Sequence, residues 1–219
     1  SFYPVYGALW KNVEMCEAVA LERYKSMSED FRKSVAASKD AGHLPIQRSD
    51  DLMDLYLDYA ATHQKFDERM IGVVGKIPGA QWKKGPAKQA FRMIEKRYLR
   101  PNARGFSKVC DSGRGMVLAE TMNDVCEVRK EILDIAATDP YFWIVRIKER
   151  YLCPSSGGWR DDLINIKVML PNGVYLVFEV QISQGKMLTA RKTLDGHAIF
   201  NKSRNASEML ILCFGDTAP

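Results

Sequence analysis

Asp161-Asp-Leu-Ile-Asn-Ile-Lys-Val-Met-Leu-Pro-Asn-Gly-Val-Tyr-Leu-Val-Phe-Glu-Val-Gln-Ile182 is the stretch that decides the fold. At its centre Pro171-Asn172-Gly173 is hairpin chemistry, because Asn-Gly tolerates the positive φ angles of a tight turn. Beyond the turn, Val174, Leu176, Phe178, Val180 and Ile182 form one apolar face, and Tyr175, Val177, Glu179 and Gln181 form the other. Pairing Leu170 with Val174 sets Lys167 opposite Val177, Asn165 opposite Glu179 and Leu163 opposite Gln181. That register gathers the polar residues of both strands on one face, and a slip of one residue would destroy the match. Glu179 therefore sits mid-strand on a polar sheet face, which either lines a cleft or is simply solvated.

Outward from the hairpin the pattern alternates. Arg114–Ala119 and Tyr141–Ile147 read as strands. Between them Thr121-Met-Asn-Asp124 resembles a capping box and opens a helix to about Ala137. After the hairpin, helices are expected at 184–194 and 198–208, then an apolar strand over Met209–Phe214. Residues 8–100 read mainly as helix. Leu9, Val13, Cys16, Ala20 and Tyr24 recur at helical intervals, and Ser28–Ala41 continues until Gly42 and Pro45. Ser49-Asp-Asp opens a helix over about 50–70. Glycines and Pro78 punctuate a loop before a further helix at about 84–98. The expectation is an α+β fold: a mixed sheet of about five strands with flanking helices and an N-terminal helical layer. The expected division is a helical region, 1–75, packed on a core of 76–219.

The 219 residues suit one generous domain and can bury a core without disulfide or metal staples. No window approaches the apolar length of a membrane span. The five cysteines are odd in number, widely spaced and form no CxxC, which argues for reduced thiols and against structural zinc. A cytoplasmic location is the simplest expectation, with a secreted effector or a fragment of a larger protein as alternatives. The net charge of +5 is too small to name a partner. Its distribution says more. Lys83, Lys84, Lys88, Arg92, Lys96, Arg97, Arg100 and Arg104 gather against the single acid Glu95. Lys88, Arg92 and Lys96 are spaced to stack on one face of a helix, where like charges repel unless an anion relieves them.

Cys110-Asp-Ser-Gly-Arg-Gly-Met-Val117 places a carboxylate, Asp111, and a cation, Arg114, at the start of a strand. With Glu179 it offers the few carboxylates that Mg²⁺ takes while keeping substrate phosphates as further ligands. Read alone, Asp-Ser-Gly is equally good turn chemistry. Arg146, Lys148 and Arg150 follow the next strand, and Pro154-Ser-Ser-Gly-Gly-Trp159-Arg160 supplies backbone freedom and a flat aromatic face. No Walker A, GxGxxG, GxSxG or HExxH motif is present.

The order of these segments resembles the nucleotidyltransferase-like synthetase domain of the RelA/SpoT family, makers of the alarmone (p)ppGpp. The likeness covers residues 84–183 most clearly, and Phe178-Glu-Val-Gln-Ile182 with Gly158-Trp-Arg160 some twenty residues earlier is its most specific part. It implies transfer of pyrophosphate from ATP to a 3′-hydroxyl of a nucleotide acceptor, with AMP released. The acceptor is implied to be GDP or GTP, a related nucleotide, or the 3′ end of a tRNA. By the same resemblance Asp111 and Glu179 hold Mg²⁺, and Glu179 activates the acceptor hydroxyl. Lys88, Arg92 and Lys96 grip the ATP phosphates, and Lys148 binds a phosphate. Trp159 replaces a tyrosine that stacks on guanine, Gln181 lies beside the acceptor, and Arg114 and Arg160 complete the nucleotide-binding set. Pro86 stands where the family has an adenine-stacking arginine, Arg92 where it has a serine, and Leu163 where it has a histidine. These differences bear on ATP handling and acceptor identity. A catalytically degenerate nucleotide- or RNA-binding module of the same fold is the alternative. The sequence leaves the oligomeric state open.

Overall fold

The computed structural model describes residues 2–37, 45–99, 105–155 and 158–193. Two helices open the chain, α1 (Phe2–Cys16) and α2 (Ala18–Ala37), with a break at Glu17. Helix α3 (Leu52–Val74) begins where expected, because the Asp51 carboxylate accepts from the Met53 and Asp54 amides. It runs past Gly72 to Val74 before the loop begins.

The segment expected as one helix over 84–98 is instead strand β1 (Ala80–Lys84) followed by helix α4 (Ala90–Leu99). Pro86 gives the physical reason. It disfavours helical geometry in the residue before it, and Gly85 already weakens a helix there. The chain stays extended, with the Gly85 amide donating to the Arg114 carbonyl (3.0 Å) and the Lys88 amide to the Ser112 carbonyl (2.8 Å). Lys88 thus precedes the helix, and the expected stack of Lys88 with Arg92 and Lys96 on one helical face is corrected.

Strand β2 (Gly113–Ala119), helix α5 (Met122–Thr138), strands β3 (Phe142–Glu149), β4 (Asp162–Met169) and β5 (Tyr175–Gln184), and helix α6 (Gly185–Thr193) follow. The capping box forms as read, with Thr121 and Asp124 exchanging side-chain and backbone hydrogen bonds. The strands make one mixed sheet in the order β1-β2-β5-β4-β3, parallel only between β2 and β5. The hairpin register is the one read from sequence: Lys167 faces Val177, Asn165 faces Glu179 and Leu163 faces Gln181. Gly173 takes the positive φ of 86° that its turn needs. The fold is α+β with a five-strand mixed sheet, β1 supplying a strand that the sequence reading lacked. The expected helix at 198–208 and strand at 209–214 lie outside the described residues.

One face of the sheet is core. Ile164, Ile166, Leu176, Phe178, Val180 and Ile182 are almost wholly buried there in one apolar cluster with residues of α1, α2, α3 and α5. Phe178 stacks on Phe66 of α3, with ring centroids 4.0 Å apart. β1 is fastened by Trp82, whose ring lies over Gly115, where any Cβ would come within 2.0 Å of it. The opposite face carries the polar row Arg114, Glu179, Asn165 and Arg146 and, next to it, a mixed row of Lys83, Met116, Gln181, Leu163 and Lys148.

Candidate active site

The candidate site is built on that polar face, at the start of β2. Gln47 holds this corner in place. Its amide nitrogen donates to the Val109 carbonyl (3.2 Å), the Ser112 hydroxyl (3.1 Å) and the Val177 carbonyl (2.9 Å), while its oxygen accepts from the Val177 amide (2.8 Å). One buried side chain thereby ties residues 109–112 to β5, and Cys110 adds a bond to the Pro45 carbonyl (3.0 Å). Asp111 is fixed between these anchors.

Two lysines converge on Asp111. Lys88 Nζ lies 2.5 Å from Oδ2 and Lys96 Nζ 2.8 Å from Oδ1, all three side chains being largely buried. Lys88 arrives from the extended run after β1, and Lys96 from the last turn of α4. Burial pushes the Asp111 carboxyl up, but the charges and hydrogen bonds of Lys96 and Lys88 outweigh it and hold the group well below the usual carboxylate range. Lys88 itself is pushed down by burial, against the pull of Asp111.

Glu179 is the second carboxylate. It pairs across the parallel β2–β5 ladder with Arg114 and across the hairpin with Asn165. Among the described residues its carboxylate has no hydrogen bond or ion pair. Burial raises its pKa and the negative charge of Asp111 raises it further, with Lys96, Arg150 and Lys88 opposing. Lys148, on β3, is pushed down by burial and by the like charges of Arg146 and Arg150, while Glu179 pulls it up. Arg146 is aimed by a hydrogen bond from Nε to Asn165 Oδ1 (2.9 Å).

The structure therefore brings together Lys88, Lys96, Asp111, Arg114, Lys148 and Glu179, with Gln181 one polar row along from Glu179. Other candidates are placed elsewhere. Arg92 is exposed on α4 and ion-paired to Glu95. Trp159 is buried, its indole nitrogen donating to Asp161 (3.2 Å) and the Arg191 guanidinium lying 3.6 Å from its ring centroid. Arg160 turns to the N-terminal helices: its guanidinium donates to the Tyr151 carbonyl (2.7 Å) and covers the Trp10 ring. Of the further contributors, Gln47 was not singled out in the sequence. Gln47 carries no pattern that would mark it, whereas Arg150 was legible as part of the basic run 146–150.

A donor set of two carboxylates flanked by cations suits Mg²⁺, which takes one or two protein carboxylates plus phosphates and waters. Glu179, half-buried and unpaired among the described residues, is the group that such an ion would satisfy. Among the described residues no cluster of three or more His, Cys, Asp or Glu side chains is placed to hold a metal.

The same architecture occurs in solved structures. The small alarmone synthetase 1 of Bacillus subtilis, bound to its product pppGpp, matches with a TM-score of 0.54 at 14% identity over 74% of this chain and 86% of that one. A GTP pyrophosphokinase family protein of Streptococcus pneumoniae matches at 0.53 and 17% identity, covering 68% and 77%. The fold is that of the small alarmone synthetases. The small alarmone synthetase 2 of B. subtilis gives 0.52 at 18% identity, covering 71% and 83%. No protein-family model and no curated protein matches the sequence. At such identities the alarmone-synthetase likeness concerns the fold. No helix of the described residues is long and apolar enough to cross a membrane.

Proposed function

We propose that this protein transfers pyrophosphate from ATP to the 3′-hydroxyl of a nucleotide acceptor, releasing AMP. The observation that carries the reading is the pairing of an ionised Asp111, gripped by Lys88 and Lys96, with a proton-attracting Glu179, unpaired among the described residues, on the neighbouring parallel strand. Two carboxylates driven in opposite directions by their surroundings divide the labour of acid–base and charge-stabilising chemistry.

In the reaction the acceptor 3′-oxygen forms a bond to the β-phosphorus of ATP as the bond from that phosphorus to the α,β-bridging oxygen breaks. Glu179 accepts the hydroxyl proton, a role its raised pKa favours. Lys88, Lys96, Lys148 and Arg114 offset the charge that develops on the transferring phosphates and on departing AMP. Asp111 and Glu179 would hold Mg²⁺, which when bound supplies Lewis-acid polarisation of the phosphoryl oxygens. Asp111 also keeps the two lysines charged and aimed in the absence of phosphate. GDP or GTP, a related nucleotide and a tRNA 3′ end are the acceptor classes to test.

Incubation with radiolabelled ATP, Mg²⁺ and each acceptor tests the reading. Labelled product and AMP are expected from the wild type and not from Glu179→Gln or Asp111→Asn, or after chelation of the metal. Absence of product with every acceptor overturns it. A second reading, a nucleotide-binding module without catalysis, draws on the burial of Trp159 beneath Arg191. ATP binding that persists in Glu179→Ala with no AMP released would establish that alternative.

A further inference from the structure

Asn165 stands in the polar row between Glu179 and Arg146, and it is fully buried. An amide in the middle of a sheet costs more than an apolar side chain unless its polar atoms are met. Here they are. Its Oδ1 accepts from Arg146 Nε (2.9 Å), and its Nδ2 donates to the Cys110 carbonyl (3.3 Å) and the Phe178 carbonyl (3.4 Å). Turning the amide over would set its oxygen against two carbonyls and its nitrogen against an N–H, so its orientation is fixed. Cys110 and Phe178 are the residues just before Asp111 and Glu179. One side chain therefore touches the backbone beside each carboxylate and holds an arginine by its inner nitrogen.

The arginine reaches this place through an irregularity in the sheet. β3 pairs with β4 as Ile144 with Ile166 and then as Arg146 with Asn165, so Val145 is an extra residue, a β-bulge. Regular alternation from Ile144 would have set Arg146 opposite Ile164 and Lys148 opposite Asp162, on the face that packs against the helices. With the bulge, Arg146 faces Asn165 and Lys148 faces Leu163, while the buried Val145 packs with Cys110 and Val177. Re-aiming side chains in this way is a common use of bulges beside working sites. Among the described residues Arg146 Nη1 and Nη2 have no hydrogen bond or ion pair. The charge they carry acts on the Cys110 thiol and on Lys148.

We infer that Asn165 is a positioning residue of the transfer site, which holds Arg146 by Nε so that both outer nitrogens of the guanidinium present to the nucleotide's phosphates. The inference rests on the transfer site proposed above and adds to it a side chain that touches no substrate. A swinging arginine loses side-chain freedom when it grips a phosphate, and a fork already held by its Nε loses less. The bulge supplies the direction and Asn165 the hold.

Calorimetric titration with Mg²⁺ and α,β-methylene-ATP, whose carbon bridge replaces the oxygen of the bond that breaks, tests this without turnover. Wild type, Asn165→Leu, Arg146→Met and the double variant form a cycle. Each single change should weaken binding about tenfold or more, the worth of a hydrogen bond to a charged group. The double variant should bind no more weakly than Arg146→Met, because Asn165 acts through Arg146. A merely structural Asn165 would give losses that multiply. Arg146→Lys keeps the charge but lacks the Nε–H that Asn165 holds, so it should bind nearly as weakly as Arg146→Met. That variant leaves Asn165 in place and decides the matter should circular dichroism show Asn165→Leu unfolded. Multiplying losses, wild-type affinity in Arg146→Met or Arg146→Lys, or a wild type that binds no nucleotide overturns the inference. Nucleotide binding with the expected cycle but no labelled product in the transfer assay overturns the transfer reading alone.

Discussion

Asp111, just before β2, and Glu179, on the neighbouring strand β5, lie close enough to feel each other's charge, yet the structure drives their carboxyls in opposite directions. Asp111 is held ionised by Lys96 and Lys88, whereas Glu179 is half-buried without a partner among the described residues, and its desolvation raises its carboxyl. Glu179→Gln should therefore reduce transfer by about 10²- to 10⁴-fold, the usual worth of a positioned general base. It should not destabilise the fold at neutral pH. A carboxyl raised above its ordinary 4.5 contributes stability below that pH and loses it as pH rises through the folded value. Urea unfolding at pH 7.5 should show Glu179→Gln as stable as the wild type or more so; a clear loss would contradict the assigned burial.

Asp111→Asn should behave in the opposite way. It leaves two largely buried lysines unpaired and facing each other, at a cost of about 3–5 kcal/mol at neutral pH. A carboxyl held below its ordinary 3.8 contributes stability above that pH, and this is lost as pH falls through the folded value. The gap between wild type and Asp111→Asn should accordingly stay constant from about pH 7 to pH 5 and close only in strong acid. Denaturation series across that range check it.

The cations of α4 should not be equivalent. Lys96 reaches Asp111, while Arg92 is exposed and bound to its helical neighbour Glu95. Lys96→Met should lower kcat/KM for ATP by about tenfold or more, since charge-assisted contacts to phosphate are worth roughly 1.5–3 kcal/mol. Arg92→Ala should change it by only a fewfold. Equal losses in the two variants would show that Arg92 reaches the nucleotide when it binds.

A buried ionic knot joins the N-terminal helices to the sheet. Arg129 of α5, fully buried, donates to Asp162 (3.0 Å) and Glu149 (2.7 Å) and lies over the rings of Tyr24 and Phe31. Tyr24 also donates to Asp162. Burial pushes the Asp162 carboxyl up to about 6 even with Arg129 beside it. Arg129→Met should cost about 3–5 kcal/mol at pH 8 and less at pH 5, where Asp162 takes up a proton and no longer buries an unpaired charge. An equal cost at both pH values would argue against Asp162 as the group left uncompensated.

Gly115 tests how β1 is attached. Its missing Cβ makes room for the Trp82 ring, which also packs edge-on against Phe66 of α3. Gly115→Val should force that ring out and destabilise the protein by about 1–3 kcal/mol, an overpacking cost visible in thermal unfolding. Because the Gly85 amide bonds to Arg114 immediately beyond β1, the same substitution should also disturb Lys88 and weaken ATP binding.

The hairpin and its register were readable because strand periodicity is strict. Once Asn172-Gly173 fixes the turn, alternation places Glu179, Asn165 and Gln181 without further information. The capping box at Thr121 and the cap at Asp51 were readable for the same local reason. By contrast, Ala80–Lys84 lacks the apolar alternation of a strand. It becomes one because Trp82 finds Gly115 and because its edges pair with β2, contacts made over thirty residues away in sequence. The mistaken helix over 84–88 shares this cause: a four-residue spacing of cations is a helical pattern only where the backbone permits a helix, and Pro86 does not.

The sequence by itself determined the α+β class, the pairing of the hairpin, and the presence of Asp111 and Glu179 among clustered cations, since each follows from local period and turn chemistry. Only the tertiary structure decided which cations meet which carboxylate. Lys88 and Lys96 come to Asp111 from two different elements, Gln47 staples that corner from outside the sheet, and Trp159 and Arg160 turn toward Arg191 and the N-terminal helices rather than Glu179. Those choices depend on long-range packing and on the electrostatics of burial, which no spacing along the chain encodes.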